Sequence, residues 1–231
     1  MHAPSRDISV VIPALNEANP IASALNSIQI SDGIECIVVD GGSRDKTPEV
    51  AQSSGARILH SPPGRARQMN AGAKAARGEF LVFLHADTRL PARFADHVRR
   101  ILGTTGVAAG AFQLKIDHPA PGLRIVERGA NWRSKYLKSP YGDQAIFLRR
   151  QLFNKVGGFP ELPIMEDFQL IRRVRRQGRI VIAPAAVLTS PRRWQRMGSW
   201  RVTLINQVVI MGFLLGVDPG RLARWYGRGS A

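Results

Sequence analysis

A mostly parallel sheet covered by helices on both faces, an α/β fold, is what this sequence predicts, on three observations. Four short apolar runs recur at regular spacing through the first ninety residues, and segments of helical periodicity separate them. The runs are too uniformly apolar for strands with one wet face, so helices must cover both sides of the sheet they form. Alternation of strand and helix patterns is the signature of a parallel α/β sheet rather than of a sandwich or bundle.

The elements follow in order. Residues 8–13 (ISVVIP) read as a buried strand and 17–30 as a helix. A second strand, 35–40, runs into Gly41-Gly42-Ser43. Thr47-Pro48-Glu49 reads as a helix start, with Thr as N-cap, Pro at the first helical position and an acid in the first turn. A third strand at 56–60, a helix at 65–76 and the most apolar strand, 80–84, complete this half. After Pro91 the pattern changes: a helix at 92–102 precedes a strand at 111–117. There Phe112, Leu114 and Ile116 alternate with polar residues, which indicates one exposed face. Helices at 122–136 and 166–177, strands at 144–148 and 179–183, and a last long helix at 198–216 follow. No repeat or low-complexity linker interrupts the chain, so one domain is expected over 1–231. Its pattern is nucleotide-type over about 8–90 and more irregular over 91–191, and a basic C-terminal segment covers 192–231.

Composition narrows the function. A chain of 231 residues with 44% hydrophobic content buries roughly 70–75% of its unfolded surface and needs no staple. The one cysteine, Cys36, excludes a disulfide framework and any multi-cysteine metal site. MHAPSRDISVV lacks a signal-peptide apolar run, so a cytoplasmic location is expected. Collagen, coiled coil, long disorder and a multi-pass membrane protein are all ruled out. The net charge is +16, and from Arg172 onward twelve arginines face a single acid, Asp218, a net +11. A partner of opposite sign is implied: nucleic acid, an anionic bilayer surface or a phosphorylated substrate. No helix-turn-helix, zinc-finger or RNA-binding signature is present, so no nucleic acid is expected.

In an open parallel sheet, ligands sit beyond the carboxyl ends of the strands. That rim receives Asn16 and Glu17, then Asp40, Gly41 and Gly42, then Gly64 and Arg65, then His85-Ala86-Asp87. Any one of these reads as a helix cap or turn; all four sets together point to a ligand.

Here the residues become specific. ISVVIPALNE, CIVVDGGSRDKT and GRARQMNAGAKAARGEFLVFLHADT resemble the inverting family 2 glycosyltransferases, which have the GT-A fold, a three-layer sandwich around a mostly parallel sheet. GDQAIFLRRQLFNKVGGFPELPIMEDFQLIRRV resembles their acceptor-side half. The resemblance covers about 8–191 and is strongest to short, single-domain members with LHADT and a compact basic tail. It implies a nucleotide-diphosphate sugar donor, with UDP-sugars favoured. Ala14 and Glu17 would line the base and ribose pocket, and Asp40 would accept a hydrogen bond from a uracil-type N–H. Gly41 and Gly42 would let backbone approach the nucleotide. Arg65 and Arg67, opening a helix, would meet the diphosphate. The family's Asp-x-Asp element appears as His85-Ala86-Asp87, a departure that leaves Asp87 to hold Mg²⁺ or Mn²⁺ with substrate phosphates. His85 would face ribose or phosphate, or ligate a softer ion. Asp167 matches the family's general base, with Glu166 as its neighbour, and Asp143 lines the acceptor or donor-sugar side. Arg192-Arg193-Trp194 resembles the basic–aromatic element over the diphosphate. The longer Gln-x-x-Arg-Trp form is absent, which argues against processive polymer synthesis.

Two other readings compete. A sugar-nucleotide pyrophosphorylase needs a Gly-rich loop directly after the first strand, and PALNEANP contains no glycine. A non-enzymatic anionic-surface binder would leave Asp40, Asp87 and Asp167 without a purpose. The acceptor stays open among lipid, polyprenyl, carotenoid-acid and small-molecule classes. The apolar run 208–217 is well short of the roughly 20 residues that span a bilayer. Arg196, Arg201, Arg221, Arg224 and Arg228 flank it, with Trp200, Trp225 and Tyr226 nearby. That pattern suits a helix lying at the inner face of the cell membrane; a core helix with solvated arginines is the competing reading.

Overall fold

The four expected apolar runs form β1 (Ile8–Ala14), β2 (Ile34–Asp40), β3 (Arg57–His60) and β4 (Phe80–Phe83). The structure, a computed structural model, describes residues 7–226 apart from 29, 31 and 32. Helices α1 (Ala18–Asn26), α2 (Thr47–Ser53) and α3 (Arg65–Ala75) connect these strands. β1 pairs in parallel with both β2 and β4, and β2 with β3.

The second half continues the same sheet but not its uniform direction. β5 (Thr88–Arg89), α4 (Phe94–Leu102), β6 (Val107–Ile116) and α5 (Pro121–Tyr136) come first. A 3-10 turn at Gly142–Gln144 leads to β7 (Phe147–Arg149) and α6 (Arg150–Lys155). Then come α7 (Glu166–Val174), β8 (Arg179–Thr189), α8 (Arg192–Met197), α9 (Ser199–Leu214) and α10 (Pro219–Trp225). The sheet order is β3-β2-β1-β4-β7-β6-β8-β5. β7 runs antiparallel to both β4 and β6, while β6 and β8 are parallel.

Strand alternation divides the core into two layers, the three-layer arrangement expected. On one face Val10, Ile12, Val38, Val82 and Phe112 pack with α1, α2 and α4. On the other Val11, Ile37, Val39, Leu81 and Phe83 pack with α3, α6 and α7. Each strand contributes to both because successive side chains point to opposite faces. A third, smaller cluster joins Ile164, Met165 and Phe168 to Val209, Phe213 and Leu222, fastening α9 and α10 onto the start of α7.

Several boundaries differ from expectation. β8 reaches Thr189 rather than 183, because the sheet absorbs Pro184 in a register shift opposite Ala111–Gln113; a bulge is where a strand tolerates proline. β6 starts at Val107, earlier than expected, because its first residues are small buried alanines. Lys46, not Thr47, is the N-cap of α2. The Thr47 hydroxyl instead accepts the Glu17 N–H at 2.8 Å and pairs with Asp45, tying the loops after β1 and β2 together. β5, α6, α8 and α10 are short elements without enough length for a periodic signal. Arg228 lies outside the described residues.

Candidate active site

Two adjoining cavities open at the rim beyond β1 and β4, of about 720 Å³ and about 750 Å³. Glu17, Arg65, His85 and Asp87 line both. Ala14, Gly64, Arg67 and Gln68 belong to the smaller one. Asp143, Glu166 and Asp167 line the larger, together with Arg192, Arg193 and Trp194. The rim thus gathers most of the residues singled out from the sequence.

Asp40, Gly41 and Gly42 are the exception, because among the described residues they line neither cavity. The Asp40 carboxylate is 2% exposed and accepts the Gly42 and Ser43 N–H groups at 2.9 and 3.0 Å. It closes the turn after β2. Gly42 has φ +93°, and a Cβ on Gly41 would lie 3.0 Å from Gln68 Nε2. Gln68 in turn donates to the carbonyls of Ala14 and Val39 at 2.8 Å. These glycines therefore have local reasons, a left-handed backbone and a close approach of the Gln68 amide.

At the end of β4, Arg65 organises the buried groups. Its Nη1 lies 3.3 Å from His85 Nε2 and its Nε 3.3 Å from Glu166 Oε1. Burial and the neighbouring Arg65 charge push the His85 pKa down to about 4, so the ring is neutral near pH 7. A guanidinium can only donate, so Nε2 is the acceptor and the proton sits on Nδ1. Burial works against the Arg65 charge, but Glu166 and Asp167 outweigh it and hold the guanidinium more firmly protonated than usual. Glu166, 1% exposed, is pushed up to about 7 by burial, with Arg65 opposing. Burial also raises the Asp143 pKa, and its Oδ1 has no hydrogen-bond partner among the described residues.

Asp167 is held from two sides. Oδ2 accepts the Gly142 N–H at 2.7 Å and Oδ1 the Phe168 N–H at 2.7 Å. Each oxygen keeps a lone pair for another donor. A Cβ on Gly142 would sit 3.0 Å from His85 Nε2 and 3.2 Å from Asp167 Oδ2, so only glycine lets the 3-10 turn press against both. The acidic pair occupies the first turn of α7, where the helix dipole favours negative charge. Met165, the N-cap, has φ +68°, a conformation a methionine holds only when packing over-determines it. Ile164 and Met165 are fixed by the third cluster, so α9 and α10 support the strained turn that presents Asp167.

Asp87 faces Arg192, from the basic–aromatic element Arg192-Arg193-Trp194. Arg192 Nη2 lies 2.8 Å from Glu17 Oε2 and 3.3 Å from Asp87 Oδ2, bridging two carboxylates across the mouth of both cavities. Burial raises the Glu17 pKa, with Arg192 opposing. No group of three His, Cys, Asp or Glu side chains among the described residues could hold a metal. Two carboxylates converging on one cationic group do suit a hard divalent ion that takes its remaining oxygens from a substrate diphosphate. Unforeseen were Tyr141 and the inner face of α9, Val202, Asn206, Val209 and Ile210, which wall the larger cavity.

Known proteins resemble this chain in sequence and in fold. The model of the family "Glycosyl transferase family 2" matches residues 9–157. A PGL/p-HBAD biosynthesis glycosyltransferase of Mycobacterium tuberculosis is 32% identical over 171 residues, 65% of this chain and 62% of that protein. This chain thus spans less than two thirds of that relative's length. Among solved structures, a mannosyltransferase from Pyrobaculum calidifontis in complex with GDP-Man and Mn²⁺ superposes with a TM-score of 0.69 at 20% identity, over 95% of this chain and 67% of that one. Glucosyl-3-phosphoglycerate synthase from Mycobacterium tuberculosis, in complex with Mn²⁺, UDP and phosphoglyceric acid, gives 0.64 at 23% identity, over 93% and 81%.

Proposed function

The chain belongs to glycosyl transferase family 2, and from that membership we propose that it moves a sugar, with inversion, from a nucleoside-diphosphate sugar to an acceptor oxygen. The observation that carries the reading is one cavity whose wall includes Asp87, His85, Asp143, Glu166 and Asp167 together. A UDP-sugar is the favoured donor. Mn²⁺ with UDP or GDP-Man in the solved relatives supports a divalent cation and a nucleotide at the same rim here.

Asp87, with Glu17 beside it, would hold Mg²⁺ or Mn²⁺, whose charge would neutralise the leaving diphosphate. Arg192 leaves its bridge between those carboxylates to do so, and Arg65 supplies a second, permanent positive charge. Neutral His85 holds the Arg65 guanidinium rather than competing with it for phosphate. Asp143 lines the side where the donor sugar meets the acceptor. Asp167 takes the acceptor proton as the oxygen attacks C1 and the bond from C1 to the diphosphate breaks. Gly142 fixes the angle of the carboxylate, and Glu166 with Arg65 keeps the pocket's charge balanced around it.

The acceptor side of the cavity is apolar, with Ile164, Met165, Val202, Val209 and Ile210 in its wall. This supports an acceptor with a hydrocarbon part, a lipid, polyprenyl or carotenoid acid, met at the inner face of the cell membrane by a cytoplasmic protein. The test is nucleotide-sugar hydrolysis by the purified protein across UDP- and GDP-sugars with and without Mn²⁺. Metal-dependent release of one nucleoside diphosphate supports the reading. No metal-dependent release from any donor, together with no UDP or GDP binding, rejects it.

A further inference from the structure

The structure sorts α9 by face. At about 100° per residue, Val202, Ile205, Val209 and Phe213 lie together and point inward, packing on α7 and α10 or lining the cavity. Trp200, Leu204, Val208, Met211 and Leu215 lie together on the opposite side, each between 47% and 78% exposed. α9 thus has two apolar sides, separated by Arg201 on one flank and by Thr203, Asn206 and Gln207 on the other, and one of the two is left uncovered.

α5 packs against α9 and repeats the feature. Ile125, Trp132 and Tyr136 share one side of α5 and are 53%, 58% and 61% exposed; the two rings lie 5.8 Å apart. Of the twelve large apolar side chains exposed among the described residues, eleven are on α5, α9, α10 or the residue that closes one of them. Large apolar side chains left exposed on helices that pack together mark an interaction site rather than scattered ordinary surface.

Charge identifies the occupant. Arg128 and Lys135 on α5, Arg201 on α9, and Arg221 and Arg224 on α10 are all exposed. α9 carries no acid, and the one acid of α5, Glu127, is 8% exposed and paired with Arg124 at 2.9 Å. A second copy of a +16 chain would bring like charge to like charge. Basic residues beside tryptophan, tyrosine and aliphatic side chains match the headgroup boundary of an anionic bilayer. No helix among the described residues is long and apolar enough to cross one.

We propose that α5 and α9 together form a docking platform for an anionic lipid bilayer, with α9 as the wall between the bilayer and the acceptor cavity. The platform gives the peripheral location proposed above a surface, and it extends that surface to α5, distant in sequence from the C-terminal segment but packed against it. Its test needs neither donor nor acceptor, so it fails or stands apart from the chemistry.

The experiment is co-sedimentation of the full chain with phosphatidylglycerol-containing vesicles and with phosphatidylcholine vesicles, across a salt series. Anionic vesicles are expected to pull the protein down at low salt and release it at high salt. Leu204→Glu with Met211→Glu, and separately Trp132→Glu, are expected to weaken that binding at least tenfold each. Lys135→Gln is expected to weaken it about fivefold, as loss of one basic contact implies. All these side chains are exposed, and unchanged melting curves and Mn²⁺-dependent UDP binding verify that the fold and donor site are intact. Equal binding to both vesicle types, binding unaffected by Trp132→Glu, or self-association removed by the same substitutions without any vesicle binding would each overturn the proposal.

Discussion

Glu166→Gln isolates the energetics of one buried carboxyl. Glu166 is 1% exposed, and burial, against the pull of Arg65, moves its pKa from 4.5 to about 7. In the unfolded chain this group loses its proton near pH 4.5; in the folded protein it keeps the proton until pH 7. Between those values the folded state binds more protons than the unfolded one, so stability falls as pH rises. At about 1.36 kcal/mol per unit of pKa difference, the group costs the folded state on the order of 2–3 kcal/mol between pH 5 and pH 8. Glutamine is neutral throughout and escapes that loss. For a chain of this size one kcal/mol moves Tm by roughly 2–4 °C, so the variant should gain about 5–10 °C on the natural protein between those pH values. Calorimetric melts of both proteins at pH 5, 6, 7 and 8 read the difference directly, and subtraction removes the titrating groups that do not interact with Glu166, leaving Glu166 with its neighbours Arg65 and Asp167. A flat difference curve would refute the reasoning and mean that Arg65 keeps Glu166 ionised despite burial. A curve of opposite slope would do the same.

Asp87→Ala is expected to abolish Mn²⁺-dependent UDP binding, measured by calorimetric titration; unchanged affinity moves the cation elsewhere. Asp167→Asn keeps the side chain's size, but its one amide oxygen can accept from only one of the Gly142 and Phe168 N–H groups, and it cannot take a proton. Transfer should fall by roughly 10²–10⁴-fold while donor binding persists, and near-normal turnover would shift the role to Glu166 or Asp143. Gly142→Ala places a methyl 3.0 Å from His85 Nε2 and 3.2 Å from Asp167 Oδ2 at a half-buried turn, so turnover should fall by about 10²-fold, far more than the accompanying loss of stability. Equal losses of stability and activity would mark Gly142 as merely structural. Arg192→Ala removes the bridge between Glu17 and Asp87, and should raise the affinity for Mn²⁺ alone while weakening UDP binding. Both affinities moving together would show that Arg192 does not compete for the cation's position.

The first half of the fold was readable because each signal there is local. β1, β2 and β4 are apolar over their whole length, since both faces are covered, and α3 begins at the Arg65 that the loop pattern marked. The rim residues Glu17, Arg65, His85 and Asp87 then follow from strand direction alone. The turn after β2 carries a local constraint that the sequence does not announce. Asp40 can satisfy its carboxylate with two backbone N–H groups of its own turn, and no sequence pattern separates that use from a ligand contact. Boundaries failed where a strand broke the usual rules, as β8 does by carrying Pro184 through a bulge, or where alanines at 108, 109 and 111 gave β6 too little hydrophobic signal.

The C-terminal segment resisted reading because its meaning depends on contacts made far back in the chain. Arg192 reaches Glu17 across 175 positions, so its part in the donor rim is a product of topology that no local window contains. α9 presents the same problem in hydrophobic form. Apolar residues occupy two opposite sides of the helix, and periodicity alone assigns neither side to the core or to an interface. Only the packing of Phe213 against Phe168, with ring centroids 5.9 Å apart, sets which side is inward. The same contact anchors the turn at Met165, one residue before Glu166. The two readings of this helix, core or interface, are therefore not alternatives. Its inner side must be core for Asp167 to be held in place, and that requirement is what leaves Leu204, Val208 and Met211 exposed on the other.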